Sequence, residues 1–146
     1  MNKKDYEYVW QDPAKGFGPP STDMLTHCGQ PQGRTIIDIA SGNGRYALEF
    51  VRMGFASVAA LDAATSSCRM IAEQSEVITV IHADICSYTV SDHYDVVFCS
   101  GLLAELDSRE EQIAAVRVMQ DMVLPGGLCV LRQSLFLSDY DPPERL

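Results

Sequence analysis

The chain has 146 residues, 47% hydrophobic and 21% charged, which supplies apolar material for one core and leaves too little chain for a second globular domain. With 20 acidic against 11 basic side chains and a net charge of −9, it repels polyanions, so nucleic acid and anionic membrane surfaces are excluded as partners. The five cysteines are odd in number and widely spaced, with no pairing to histidine at metal-ligand spacing; they read as reduced core thiols of a cytoplasmic protein without a metal site.

The N-terminal MNKKDYEYVWQDP lacks the apolar stretch of a signal peptide, and no run of about 18 apolar residues is present for a membrane span. Residues 1–33 are polar and aromatic, broken by Gly16, Gly18, Pro19, Pro20, Pro31 and Gly33. They read as an arm packed on a core, with Ser21 capping a short helix through about Cys28.

From Thr35 onward, short apolar runs alternate with helical spacing. TIIDIA (35–40) reads as a first strand, followed by a helix through Tyr46, Leu48, Val51 and Met53 that closes at Gly54. ASVAAL (56–61) is a second strand, residues 64–74 a second helix and VITVIH (77–82) a third strand. Residues 87–93 are too few for a full helix and read as a loop before a fourth strand, YDVVFC (94–99). A helix over 109–123 stops at Leu124-Pro125-Gly126-Gly127, and LCVLRQ (128–133) is the fifth strand. Strand and helix repeated in this way predict right-handed crossovers and a mainly parallel sheet with helices on both faces. The expected organisation is one domain over 1–146: an arm (1–33), a core (34–137) and a tail (138–146).

In such sheets ligands bind beyond the carboxyl ends of the strands. The stretch IIDIASGNG ends the first strand there, and Gly42 and Gly44 let backbone approach a ligand closely. Two ligand classes fit. Read as G-x-G-x-x-A, residues 42–47 with Asp62 twenty positions after Gly42 satisfy the loose dinucleotide pattern. Asp38 opposes that reading, because it stands where a pyrophosphate would pass; it suits a cation better, such as a sulfonium-bearing amino acid attached to a nucleoside. Asp62 ends the second strand, where a carboxylate can accept both ribose hydroxyls, and Asp84 ends the third, within reach of an adenine amino group, with Ile85 packing on the ring. Any one of these acids is ordinarily a solvated strand end or a cap; three at successive strand ends form a rim.

This ordered set resembles the class I S-adenosylmethionine-dependent methyltransferases, from about residue 34 to residue 133. Their D-x-G-x-G-x-G motif is similar to Asp38-Ile39-Ala40-Ser41-Gly42-Asn43-Gly44, where Ala40 replaces the first glycine and narrows the space beside the methionine part of the cofactor. Asp62, followed by Ala63, falls on the ribose-binding acid, and Asp84-Ile85 on the adenine-contacting pair. DVVFCSGLLAEL and the LPGG turn resemble later motifs, with Ser100 at the end of the fourth strand. The resemblance implies a Rossmann-like three-layer α/β sandwich with a mainly parallel five-stranded sheet, order 3-2-1-4-5, lacking the family's usual last two strands. It implies S-adenosyl-L-methionine as cofactor, bound by Asp38, Ala40, Ser41, Gly42, Gly44, Asp62, Ala63, Asp84, Ile85 and Ser100, and methyl transfer to a small-molecule acceptor.

YEYVWQDPAKGFGPPS resembles the small-molecule enzymes, including the tellurite-resistance type, in which such a segment closes over the cofactor. Base-modifying relatives carry N/D-P-P-Y/F after the fourth strand, where this chain has Ser-Gly-Leu-Leu. Asp141-Pro142-Pro143 in the tail reads as a helix-stopping turn.

No general base stands out. Glu105 reads either as orienting an acceptor or as an exposed residue opening the next helix, His27 as a base or, more ordinarily, a surface histidine, His82 as a hydrogen-bonded structural residue on a strand and His93 as a loop residue. Tyr6, Tyr8, Trp10 and Phe17 either cage a sulfonium by cation–π attraction or pack the arm. LCVLRQSLFLSDY leaves an apolar edge, which predicts a homodimer or a different subunit covering it. The alternative function is a cofactor-binding, catalytically incomplete partner of another enzyme.

Overall fold

Each short apolar run becomes a strand because both of its faces find cover, as parallel sheets require. The computed structural model describes residues 18–133. Its strands are β1 (Thr35–Ile39), β2 (Ser57–Asp62), β3 (Thr79–His82), β4 (Tyr94–Ser100) and β5 (Val123–Arg132). They form one five-stranded sheet in the order β3-β2-β1-β4-β5. Every neighbouring pair is parallel.

The helices are α1 (Thr22–His27), α2 (Arg45–Met53), α3 (Thr65–Gln74) and α4 (Arg109–Met122). On one face Ile36, Val58 and Phe98 of the sheet pack with Tyr46, Ala47 and Phe50 of α2 and Ile71 of α3. The Phe98 ring lies 4.7 Å from Tyr46 and 5.1 Å from Phe50, the latter edge to face. On the other face Ile37, Ile39, Val97 and Cys99 pack with Ala115, Met119 and Met122 of α4. After β3 the chain crosses to the far side of β1, so the winding reverses between β1 and β4. A crevice at the carboxyl ends of those two strands is the place such a sheet offers a ligand.

Local signals explain most element ends. α2 stops at Gly54, whose φ of 95° is the left-handed conformation that closes a helix. α4 begins with a reciprocal cap: Ser108 Oγ accepts the Glu111 amide at 3.1 Å, and Glu111 Oε2 accepts the Asp107 amide at 2.9 Å.

Two expectations need correction. Leu124-Pro125-Gly126-Gly127 is not a turn preceding β5 but an irregularity inside it: Val123 already pairs with Tyr94, and pairing resumes at Leu128 opposite Val96. The extra residues bulge out of the ladder, which lets a proline sit there without removing a needed hydrogen bond. Ser21 does precede α1, but its side chain makes no capping bond. Its backbone amide instead donates to the buried Tyr46 hydroxyl at 3.1 Å, tying the start of α1 to α2.

β5 is an edge of the sheet, and its Leu124, Leu128 and Leu131 are 37–43% exposed. This is the apolar edge on which the expectation of a covering partner rested. No helix among the described residues is long and apolar enough to cross a membrane. Tyr6, Tyr8, Trp10 and Phe17 of the arm and Asp141-Pro142-Pro143 of the tail lie outside the described residues.

Candidate cofactor-binding site

The turn from β1 into α2 is fastened to its neighbours by backbone and side chain alike. The Ser41 amide donates to the Leu61 carbonyl at 3.2 Å, the Gly42 amide to Asp62 Oδ2 at 2.9 Å and the Gly44 amide back to the Ser41 carbonyl at 2.9 Å. From α3, the fully buried Ser67 hydroxyl donates to the Gly42 carbonyl. Gly44 has φ of 80°, and a Cβ there would meet Ile71 Cγ1 at 2.7 Å, so the turn lies directly against α3. Only glycine satisfies both conditions.

Ala40, at φ 56°, is the one non-glycine residue with positive φ among those described. That conformation costs an L-residue roughly 1–2 kcal/mol, and the fastened turn holds it in place. The substitution singled out in the motif is therefore a strained position.

Asp38 lies two residues after Ile36 on β1, hence on the α2 face, and is 2% exposed. Its Oδ2 has no hydrogen-bond partner. Burial first, and then the charge of Asp62, push its carboxyl up to about 8; the Ala47 amide and Arg45 oppose this only in part. An acid of this kind holds its proton at neutral pH unless a cation arrives. The same surroundings silence two thiols: burial first, then Asp38, raise Cys28 to about 11 and Cys99 to about 12. These two are core thiols as expected, whereas Cys68 and Cys86 are half-buried and Cys129 is exposed.

Asp62 is 8% exposed at the end of β2. Its Oδ2 takes the Gly42 amide and its Oδ1 the Ala64 amide, both at 2.9 Å. These donors fix the carboxylate plane, and an ionised carboxylate has about four acceptor positions in all. Asp38, Asp62 and the glycine turn are thus brought together. The third acid is one strand further out: the Ala83 amide donates to the Asp62 carbonyl at 3.0 Å, and Asp84 follows.

Asp84 Oδ1 accepts the Cys86 amide at 3.0 Å, starting a 3₁₀ turn over Ile85–Ser87. Ile85 is 4% exposed and packs within the α4-side core. Ala63 is exposed, and its carbonyl accepts Nε2 of His82 at 3.0 Å, the structural role read for that histidine. Ser100 ends β4 half-buried, opposite Arg132, and the next residue, Gly101, donates its amide to the Arg132 carbonyl at 2.9 Å. His27 is exposed and donates from Nδ1 to the Asp23 carbonyl. Glu105 does not open a helix: it closes a 3₁₀ turn over Leu103–Glu105, and α4 starts only after Ser108.

Ser67 and Arg45 escaped the sequence reading. Ser67 sits on a helix whose buried side is set by contacts distant in sequence, so its hydroxyl carries no local sign. Arg45 follows the last glycine directly; its guanidinium donates to the Gly18 carbonyl at 3.2 Å and lies 5.0 Å from the Tyr46 ring centre.

The chain matches the family described as methyltransferase domain over residues 36–127. Among solved structures it resembles the N-methyltransferase NodS from Bradyrhizobium japonicum WM9 in complex with S-adenosyl-L-homocysteine, at 15% identity over 90% of this chain and 72% of NodS, with a TM-score of 0.77. It resembles the glycopeptide N-methyltransferase MtfA complexed with S-adenosyl-L-methionine at 18% identity over 79% of this chain and 54% of MtfA, TM-score 0.68. The sugar N-methyltransferase KedS8 from Streptoalloteichus sp ATCC 53650 is similar at 20% identity over 90% of this chain and 47% of KedS8, TM-score 0.66. The chain thus spans about half the length of the last two, and at these identities the likeness is one of fold. No curated protein gives a significant match. The family match covers the glycine turn, the acids at the ends of β1, β2 and β3, and the sheet that aligns them; the chain belongs to the S-adenosylmethionine-dependent methyltransferases of class I, Rossmann-like type.

Proposed function

We propose that the protein transfers a methyl group from S-adenosylmethionine to a small-molecule acceptor, and that the acceptor atom is an amine nitrogen. The observation that carries the cofactor assignment is the orphaned Oδ2 of Asp38, buried beside a glycine turn. A diphosphate there would face an acid that cannot neutralise it, whereas an ammonium group satisfies the atom and the local charge together. Gly42 and Gly44, both in the left-handed conformation, shape the turn, Asp62 is oriented to accept ribose hydroxyls, and Asp84 stands at the next strand end for an adenine amino group. When bound, the cofactor supplies a methyl group already activated on a positively charged sulfur. What remains for the chain is to align the acceptor, exclude water and, for a protonated amine, let a proton leave.

Three considerations support the acceptor class. NodS, MtfA and KedS8 are each named N-methyltransferases, acting in the latter two cases on a glycopeptide and a sugar. The chain's net charge of −9 favours a cationic molecule over a carboxylate or phosphate one. Base modification lacks its motif after β4. The five free cysteines support a reducing, cytoplasmic setting.

The test is calorimetric titration with S-adenosylmethionine, S-adenosylhomocysteine and NAD, followed by mass-spectrometric detection of methyl transfer to a panel of amino sugars and other small amines against thiols, phenols and carboxylates. The reading expects the two adenosyl compounds to bind and amines to be methylated. Binding of NAD alone would overturn the cofactor assignment, and methylation confined to thiols or carboxylates would overturn the acceptor class.

A further inference from the structure

We propose that this site takes up its cofactor by exchanging a proton for a cation: in the empty protein the buried Asp38 carboxyl is neutral, and docking of the ligand's ammonium group expels that proton to solvent. The inference rests on the cofactor reading above and adds a linkage that the reading does not require.

The argument starts from two carboxyl groups in one buried place. Asp38 is 2% and Asp62 8% exposed, and a second charge in such surroundings is unfavourable unless something opposite in sign is at hand. Hydrogen bonding decides which acid stays ionised. Asp62 receives two backbone amides, from Gly42 and Ala64, and these favour its charged form. Asp38 keeps an oxygen with no partner at all, so the proton belongs there.

The titratable and charged groups around Asp38 on each neighbouring element, on either face of the sheet, leave it this way. From β2 comes Asp62, of like charge; from β4 and from the end of α1 come Cys99 and Cys28, both neutral at any physiological pH. From α2 come the Ala47 amide and Arg45, whose guanidinium is also held by the Gly18 carbonyl and the Tyr46 ring. The Asp38 carboxyl pushed up to about 8 agrees with this geometry.

The exchange balances simply. The O–H bond of Asp38 breaks, its proton passes to the buffer, and the carboxylate so formed faces one ammonium. The ligand's α-carboxylate enters already ionised and leaves the count unchanged, so the proton released is the one that Asp38 held. At pH 7 the empty site would be about nine-tenths protonated, so binding releases roughly 0.9 proton. Affinity rises with pH over the same interval, about tenfold from pH 6 to pH 7, and levels off above pH 8.

The experiment is calorimetric titration of the full chain with S-adenosylhomocysteine at pH 7, in phosphate and in Tris, whose ionisation heats differ. The slope of observed heat against buffer heat counts protons. The expected result is close to one proton released and the tenfold gain in affinity from pH 6 to pH 7. Asp38→Asn should bind more weakly, with no proton released and a flat pH profile. Should that variant fold poorly, the two measurements on the unaltered chain still decide. Binding without proton release, or release that persists in Asp38→Asn, would overturn the proposal and leave the cofactor reading standing. No binding at any pH would overturn the cofactor reading itself.

Discussion

Replacing Gly44 with alanine probes how tightly the cofactor turn is laid on α3. The position has φ of 80°, and the new Cβ would fall 2.7 Å from Ile71 Cγ1 and 3.4 Å from its Cδ1. Ile71 is fully buried and has nowhere to swing. The left-handed conformation costs alanine roughly 1–2 kcal/mol, and forcing the extra methyl into a packed core costs roughly 1–3 kcal/mol more. A gain of about 0.4–1 kcal/mol from the stiffer unfolded chain offsets part of this. The net expectation is a loss of about 2–4 kcal/mol, read as a lower urea midpoint with unchanged slope. The cycle with Ile71→Ala isolates the contact. Ile71→Ala alone leaves a cavity costing about 2–5 kcal/mol, but on that background Gly44→Ala should cost only its backbone strain. The coupling between the two should therefore reach about 1–3 kcal/mol. Strictly additive effects would refute the reasoning, because they would mean that the turn and the helix do not press on each other.

Other changes read other parts of the site. Ala40→Gly relieves the strain at φ 56° and should raise the urea-derived stability by up to about 1 kcal/mol, the left-handed penalty less the greater unfolded freedom of glycine; a loss of stability would show that the methyl group packs favourably instead. Asp62→Ala should weaken S-adenosylhomocysteine binding at least tenfold, about 1.4 kcal/mol, through lost ribose bonds and a loosened Gly42 amide; unchanged affinity in a titration would remove Asp62 from the site. In the empty protein, Asp38 is raised from 3.8 to about 8, so the folded state holds more protons than the unfolded state between those values. Its contribution to stability is complete below pH 3.8 and is lost as pH climbs through about 8. Asp38→Asn should therefore stabilise the empty protein relative to the unaltered chain at pH 8 and not at pH 4, as unfolding midpoints at the two values will show.

The sheet was legible because its signals are local and repeated. β1, α2 and Gly54 follow from one apolar run, one helical stripe and one glycine, each interpretable without knowledge of the rest. The start of α4 at Arg109 was read correctly, and Ser108 and Glu111 hold it with a reciprocal cap. What could not be read depends on partners far along the chain. Val123 joins β5 only because Tyr94 lies opposite, so the LPGG stretch resembled a simple turn. The Ser21 amide is taken by a phenol 25 positions away. Within the site, Asp38 and Asp62 showed themselves through their place at strand ends, and Ala40 through the glycine it replaces. The burial of Ile85 in the α4-side core was not legible, because apolar character alone does not say which side of the sheet a residue after a strand will pack on. Ser67 was hidden for the same reason, since only the packed rotation of α3 aims its hydroxyl at the Gly42 carbonyl.

A crystal structure of the protein grown with S-adenosylhomocysteine tests the central claim most directly. The account predicts the nucleoside seated against the Ala40–Gly44 turn, its ribose hydroxyls on the Asp62 carboxylate and its ammonium nitrogen within hydrogen-bond reach of Asp38 Oδ2. A turn left empty at saturating ligand, or an ammonium group turned away from Asp38, would contradict it.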